Sequence, residues 1–169
     1  MEKIIVAAIS LDGKIAKSPE DKLGWTGRDD KRWFAKVSSD AGAIIMGRRA
    51  YEVIGRPLAG RLIKVMSRQA ENFLSIPGQV EFTSHSPKEI LGELGSRGFE
   101  RVIIGGGREI YSLFVEENLV DEVWLSVIPI ILGRGITWVE LKKERQLDLV
   151  GMEGRGEGGI VAKYRVQRL

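Results

Sequence analysis

The stretch AIIMGRRAYEVIGRPLAGRLIKVMSR, residues 43–68, decides how the rest of the chain is read. It opens on a near-continuous apolar run, Ala43 to Gly47, of the kind a strand covered on both faces requires. A short helix through Ala50–Ile54 follows, and Gly55-Arg56-Pro57 then fixes the chain direction in a turn that ends at Arg61. Leu62 to Ser67 is again strand-like. Strand, helix and strand in such quick succession imply a parallel pair joined by a crossover.

The same alternation extends in both directions. Upstream, Ile4 to Ile9 is a second buried strand, and a helix is expected to begin at Thr26, which has the spacing of a capping-box variant with Asp29; Gly42 lies just past its end. Downstream, VEFTS (80–84) is strand-like, and Ser86-Pro87-Lys88-Glu89 supplies an N-cap, a proline at the first helical position and an acid at N3, the strongest helix start in the sequence. RVIIGGG (101–107) runs as a strand into glycines, REIYSLFVEE (108–117) is helical, and VDEVWLSVIPII (120–131) is a further strand. The tail, LDLVGMEGRGEGGIVAKYRVQ (147–167), predicts an antiparallel hairpin across a glycine-rich turn. The fold class is therefore α/β: one domain over 1–169, with a mostly parallel twisted sheet, helices on both faces and an antiparallel C-terminal hairpin at the edge. In such sheets ligands sit beyond the carboxyl ends of the strands, so the loops there are where the chemistry is sought.

Composition narrows the choices. The chain has 169 residues, 43% hydrophobic and 29% charged, with 21 glycines, which is the balance of a folded domain. It has no cysteine and a single histidine, His85, so disulfides, thiolate metal sites and histidine clusters are excluded and no metal is expected. Met1 leads straight into KIIVAAI, without the features of a signal peptide, and no run is long enough to span a membrane; a cytoplasmic location is expected. The net charge of +3 is spread as single arginines among apolar residues. That suits a small anionic ligand better than nucleic acid, which wants a basic stripe with interleaved aromatics.

Several residues stand out chemically. With a helix begun at Gly27, Asp30 shares one face with Trp33, Phe34 and Val37, while Asp29 points toward Lys36 and other polar residues. A carboxylate on an apolar stripe loses solvation, and its pKa rises unless donors or a cation meet it; the alternative is that Asp30 only adds favourable charge to the first helical turn. Gly47, Arg48 and Arg49 form a plausible phosphate cradle at a helix start. Arg61 enters its strand from apolar surroundings and wants an anionic partner. Ser67 and Arg68 end the third strand of the crossover series, where both can hydrogen-bond a phosphate. IGGGREIY (104–111) is a glycine turn that lets backbone approach a ligand closely.

Taken together, GRRAYEVIGRPLAGR followed by VMSR, with GGREIY, VDEVWLSV and the Trp25, Asp30, Phe34 spacing, resembles dihydrofolate reductase over nearly the whole chain. The resemblance implies NADPH-dependent reduction of 7,8-dihydrofolate to tetrahydrofolate, with antifolates as further ligands. It makes Asp30 the acid that grips the pterin and favours N5 protonation, supported by Ser126, with Trp25 also at the catalytic centre. Val6, Ala7, Phe34, Ile54 and Leu58 line the substrate, and Arg61 forks onto the glutamate tail. Cofactor contacts fall to Ala7, Ile15, Gly47, Arg48, Arg49, Ser67, Arg68, Gly106, Gly107, Arg108, Glu109 and Ile110, with Gly106–Gly107 joined by a cis peptide and Arg68 favouring NADPH over NADH. The loop from Ala16 to Gly24 is the expected lid, and the state is monomer or homodimer.

Three positions depart from the family's pattern. Ala50 replaces a hydroxyl donor to a cofactor phosphate, Gly105 replaces a bulky aliphatic residue and is expected to enlarge the folate pocket or alter inhibitor fit, and the lid lacks a proline after Trp25. SLDGKIA (10–16) and PIILGRG (129–135) also resemble the reductase of riboflavin biosynthesis, a relative of the same fold that reduces a ribosylaminopyrimidine phosphate with NADPH. A non-enzymatic nucleotide-binding or nucleic-acid-binding module is the third possibility.

Overall fold

The computed structural model of the protein describes residues 1–168. The first half of the chain runs β1 (Glu2–Ser10), β2 (Lys14–Ala16), α1 (Gly27–Ala41), β3 (Ala43–Gly47), α2 (Arg48–Ile54), β4 (Leu62–Met66) and β5 (Val80–Thr83). The second half runs α3 (Pro87–Ser96), β6 (Arg101–Ile104), α4 (Arg108–Glu116), β7 (Glu122–Ile128), β8 (Ile136–Thr137), β9 (Leu147–Gly154) and β10 (Ile160–Val166). Eight of the strands form one sheet in the order β5-β4-β3-β6-β1-β7-β10-β9. Every pairing from β5 to β7 is parallel, and β10 runs antiparallel to both β7 and β9.

The apolar runs of the central strands become a core because both faces are covered. Ile4, Ile44, Ile63 and Ile103 lie under α1 and α2 with Trp33, while Ile5, Ile45 and Ile104 lie under α3 and α4 with Ile90, Leu94 and Phe114. Each such side chain contributes about 1.5–3 kcal/mol on leaving water, which fixes strand order more firmly than local propensity. Gly42 caps α1 with φ 78°, donating to the carbonyls of Ser38 and Ser39. The capping box at Ser86 forms as the sequence predicts: the Glu89 carboxylate accepts from the Ser86 N–H at 2.8 Å, and the Ser86 hydroxyl accepts from the Glu89 N–H.

The structure corrects several local expectations. Thr26 makes no side-chain cap; its residue is already helical and its hydroxyl donates to the Leu23 carbonyl at 3.2 Å, because a 3₁₀ turn, Gly24–Thr26, precedes α1. β7 stops at Ile128, before Pro129, which has no N–H to give the ladder. Strands β2 and β8 form a separate two-stranded sheet that the sequence does not announce, being too short for any periodicity to show. The expected lid is consequently shorter, since Ala16 belongs to β2. It is also tied: the Asp21 carboxylate accepts from the backbone of Lys17 and Leu23 and from the Trp25 indole N–H at 3.0 Å.

Candidate active site

Asp30 enters the site from the first turn of α1. Trp33, 8% exposed, and the half-buried Phe34 and Val37 on the same stripe pack with Val6 and Val161, so the stripe faces the sheet as its spacing requires. Opposite it, β7 places Ser126 beside Ala8 of β1, and Ser126 is buried. Burial is the largest influence on the Asp30 carboxyl and raises its pKa above 3.8; the hydroxyls of Ser126 and Thr26 and the cations Arg155 and Lys31 pull it back without cancelling the rise. Asp29 turns elsewhere, 3.9 Å from Arg32 and against Gly156, whereas Lys36 pairs with Asp40 and not with Asp29.

Tyr111 joins the glycine turn after β6 to β1 and lies near enough to Asp30 to feel its charge. The Tyr111 hydroxyl donates to the carbonyl of Val6 at 3.0 Å, and its pKa is pushed far up by burial and by the nearby Asp30 charge. Gly106, at φ 104°, approaches the same ring so closely that a Cβ there would lie 2.9 Å from the hydroxyl. The Gly106–Gly107 peptide is cis. The Gly106 carbonyl accepts from the Gly47 N–H at 2.7 Å, joining the carboxyl ends of β3 and β6. Beside Gly107, which caps the N-terminus of α4, space is open. Val6 and Ala7 are buried backbone of β1 beneath this junction, Ile110 packs against Gly47, and Ile15 packs on the core at its rim.

The cations divide into committed and available ones. Arg48 is committed: it pairs with Glu52 and lies 5.8 Å over the Phe73 ring. Arg49 and Arg68 are exposed beside Gly47 and Ser67, and the Ser67 hydroxyl accepts from the Gln69 N–H at 3.2 Å. Arg108 stands 3.7 Å from Glu140, and Glu109 is exposed.

Arg61 departs most from its expected role. Its Nη1 donates to the Ala35 carbonyl at 2.8 Å and to the Ser38 hydroxyl at 2.6 Å, and its Nε donates to the Ala59 carbonyl at 3.1 Å. Nη1 is thus spent on α1 and Nε on the loop before β4, leaving Nη2 for a ligand; burial lowers the guanidinium pKa. Arg61 also sits at the amino end of β4. Ser38 lies two turns along α1 from Asp30, about 12 Å away at the helical rise, with half-buried Ile54 and Leu58 flanking this side of the core. A cavity of about 420 Å³ at this end touches the site only through Leu58 and Arg61.

Two departures from the family's pattern acquire a physical account. A Cβ on Gly105 would lie 3.0 Å from Ile44 and 3.3 Å from Met46, so those side chains already fill the position and no enlargement results there. Ala50 packs on the apolar cluster under α1 and α2. Arg155, in the turn between β9 and β10, is the site residue that sequence reasoning missed. Its guanidinium lies over Trp33, and nothing in a solitary arginine among glycines reveals which helix the hairpin will meet.

A half-buried carboxyl on an apolar helix stripe, with a glycine junction at the carboxyl ends of β3 and β6, is an arrangement suited to an α/β oxidoreductase. Residues 3–142 match the dihydrofolate reductase family, and the chain belongs to that family. A Caenorhabditis elegans protein named "Putative dihydrofolate reductase" is 35% identical over 73% of this chain and 70% of its own length. The Candida albicans dihydrofolate reductase is 31% identical over 74% of this chain and 67% of its own. The fold also matches a crystal structure titled "Putative riboflavin biosynthesis protein" from Shewanella sp. PV-4, with TM-score 0.83 and 23% identity over 99% of this chain and 100% of that one.

Proposed function

We propose that the protein reduces 7,8-dihydrofolate to tetrahydrofolate with NADPH. The observation that carries this reading is the half-buried carboxyl of Asp30 on the apolar stripe of α1, beside Thr26 and the buried Ser126, where desolvation raises its pKa. A flat heterocycle with adjacent N–H donors gives that carboxylate the partners it otherwise lacks, and the ring is thereby oriented and its N5 made easier to protonate. The Ser126 hydroxyl beside the carboxylate favours its charged form. Phe34, Ile54 and Leu58 flank the ring and its aryl extension, and Arg61 offers Nη2 to a tail carboxylate two helical turns away, a single contact where a free arginine would give a fork. Trp25, anchored by Asp21, limits water at the entrance.

The residues present suit NADPH. Gly47 and Gly106 bring backbone together where a side chain would intrude, Gly107 opens onto free space at a helix start, and Arg49, Ser67 and Arg68 supply donors for phosphate. When bound, the cofactor supplies the hydride. The chain's part is to hold the ring, exclude water and keep one acid at the protonating end.

A second reading has its own observation. Asp12 accepts from the Ser10 hydroxyl at 2.7 Å, from the Leu132 N–H at 3.0 Å and from the Gly133 N–H at 2.8 Å. This holds together the two stretches, SLDGKIA and PIILGRG, that resemble the riboflavin-pathway reductase. The test is loss of NADPH absorbance with each substrate in turn. Turnover with dihydrofolate is expected; turnover only with the ribosylaminopyrimidine phosphate would transfer the function to the second reading.

A further inference from the structure

Thr26 is 5% exposed, sits where the lid ends and α1 begins, and stands one helical turn before Asp30 on the same face. Its hydroxyl has two acceptors. One is the Leu23 carbonyl at 3.2 Å; the other is the Asp30 carboxylate, whose charged form the hydroxyl favours. A hydroxyl carries one proton, so it serves one of them at a time. The Leu23 carbonyl depends on it, because its second donor, the Thr26 N–H, is long at 3.4 Å. Leu23 itself is held in the left-handed region, φ 59° and ψ 33°, which a branched side chain adopts only where its surroundings enforce it. The Asp21 carboxylate supplies the other restraint, accepting from the Leu23 N–H at 2.8 Å and from the Trp25 indole N–H at 3.0 Å. The last turn of the lid therefore rests on Asp21 at one side and on Thr26 at the other.

We propose that Thr26 is a positioning residue whose hydroxyl passes between Leu23 and Asp30, so that the fastening of the lid follows the charge and occupancy of the acid. A protonated carboxyl has its own hydrogen to donate to the Thr26 oxygen, and the Thr26 proton then stays on the Leu23 carbonyl. The ionised carboxylate is an acceptor only and draws that proton to itself, which leaves Leu23 with the long backbone bond and loosens the turn that carries Trp25. A ring that brings its own N–H donors to the carboxylate frees the hydroxyl to return to Leu23, so the entrance is secured when the cleft is filled. That last step rests on the substrate reading above; the first two belong to the unliganded protein. Around the carboxyl, Arg155 comes from the β9–β10 turn, Lys31 from α1, the Tyr111 hydroxyl from α4 and Ser126 from β7. Asp29 and Glu157 lie against Gly156 and Gly27, where the hairpin meets α1. Among these described residues, Thr26 is the one that also bonds the lid.

The carbonyl carbon resonance of Leu23, followed by NMR against pH in the intact protein without ligands, tests it. Wild type should show two steps. The lower, below pH 3.8, belongs to Asp21, where burial is outweighed by the N–H groups of Lys17, Leu23 and Trp25. The upper, above pH 3.8, belongs to Asp30, where burial prevails. Thr26→Val, which keeps the shape and removes the hydroxyl, should abolish the upper step and retain the lower, the sign that its lid is still formed; Thr26→Ser should keep both. Asp30→Asn should also lack the upper step. At neutral pH, saturating dihydrofolate should return the wild-type resonance toward its position before the upper step, and should not do so in Thr26→Val. A wild-type resonance without an upper step, or an upper step that survives either Thr26→Val or Asp30→Asn, would overturn the proposal. An upper step that obeys the variants but ignores dihydrofolate would uphold the hydroxyl transfer and count against dihydrofolate as the ligand.

Discussion

The guanidinium of Arg155 lies 5.3 Å from the centroid of the Trp33 ring, and its Nη2 donates to the Asp29 carbonyl at 3.4 Å. The turn of the C-terminal hairpin is thereby fastened to the first turns of α1, with a cation close enough to Asp30 to oppose the effect of burial on its carboxyl. Removing that cation leaves Ser126, Thr26 and Lys31 as the remaining influences that favour ionisation. Arg155→Ala should therefore move the apparent pKa of turnover upward by roughly one unit, while Arg155→Lys should restore most of it. A pH–rate profile for the three proteins decides, and an unmoved pKa in Arg155→Ala would confine the residue to packing on Trp33.

Asp30 carries a stability cost that follows from the direction of its shift. Its folded pKa lies above the ordinary 3.8, so between those two values the native state holds more protons than the unfolded one. Stability then falls as pH rises through that window, and the full cost is present at neutral pH. Asp30→Asn should be more stable than wild type at pH 7 by on the order of 1 kcal/mol, with the gap closing below pH 3.8, as urea melts at several pH values will show. The same variant should lose turnover by about 100-fold or more while NADPH affinity, measured by fluorescence titration, is nearly unchanged.

The parts of the fold that the sequence displays are those governed by local rules. Unbroken apolar runs such as Ile4–Ile9 and Ala43–Gly47, the Ser86 capping box and the stripe that turns Asp30 inward need only neighbours a few residues away. The tertiary partners of the side chains do not show in this way. The free edge of the Arg61 guanidinium looked available because Ala35 and Ser38 lie 26 and 23 residues distant. Arg155 reaches Asp29 across 126 residues. Gly105 implied space that Ile44 and Met46 occupy, a matter of packing between strands that no single stretch records. Strands β2 and β8 are defined by each other, so neither is visible alone.

The divided loyalty of Arg61 separates its structural role from its binding role. Arg61→Lys removes bonds to Ala35, Ser38 and Ala59 together and also the Nη2 donor, so both stability and substrate affinity should fall, by about 1–2 kcal/mol in thermal or urea unfolding and as a severalfold rise in KM for dihydrofolate. Ser38→Ala removes only the hydroxyl partner of Nη1. That variant should lose about 1 kcal/mol of stability with KM unchanged or lowered, because an N–H is released toward the ligand. A raised KM in Ser38→Ala would place the hydroxyl itself in the binding site.

On the α3 side of the sheet, away from Asp30, Lys64 is 4% exposed and lies 2.8 Å from Glu93 and 3.1 Å from Glu81, while Arg97 reaches Glu81 at 2.8 Å. Hydrogen bonds from Arg97, the Gly78 backbone and Lys64 outweigh burial at Glu81 and hold its pKa at about 2, below the ordinary 4.5. For an acid with a depressed folded pKa, the stabilisation is complete above pH 4.5 and is lost as pH falls through about 2. Glu81→Gln leaves the buried Lys64 ammonium with Glu93 alone, so at pH 7 it should cost roughly 3 kcal/mol. The difference from wild type should shrink steadily as pH falls below 4.5, where the wild-type carboxylate begins to lose its advantage. Chemical denaturation across that range measures both quantities. Turnover at permissive temperature should stay within about twofold, because the network lies on the opposite face of the sheet from Asp30; a pH-independent difference would mean that the glutamate acts through packing and not through its charge.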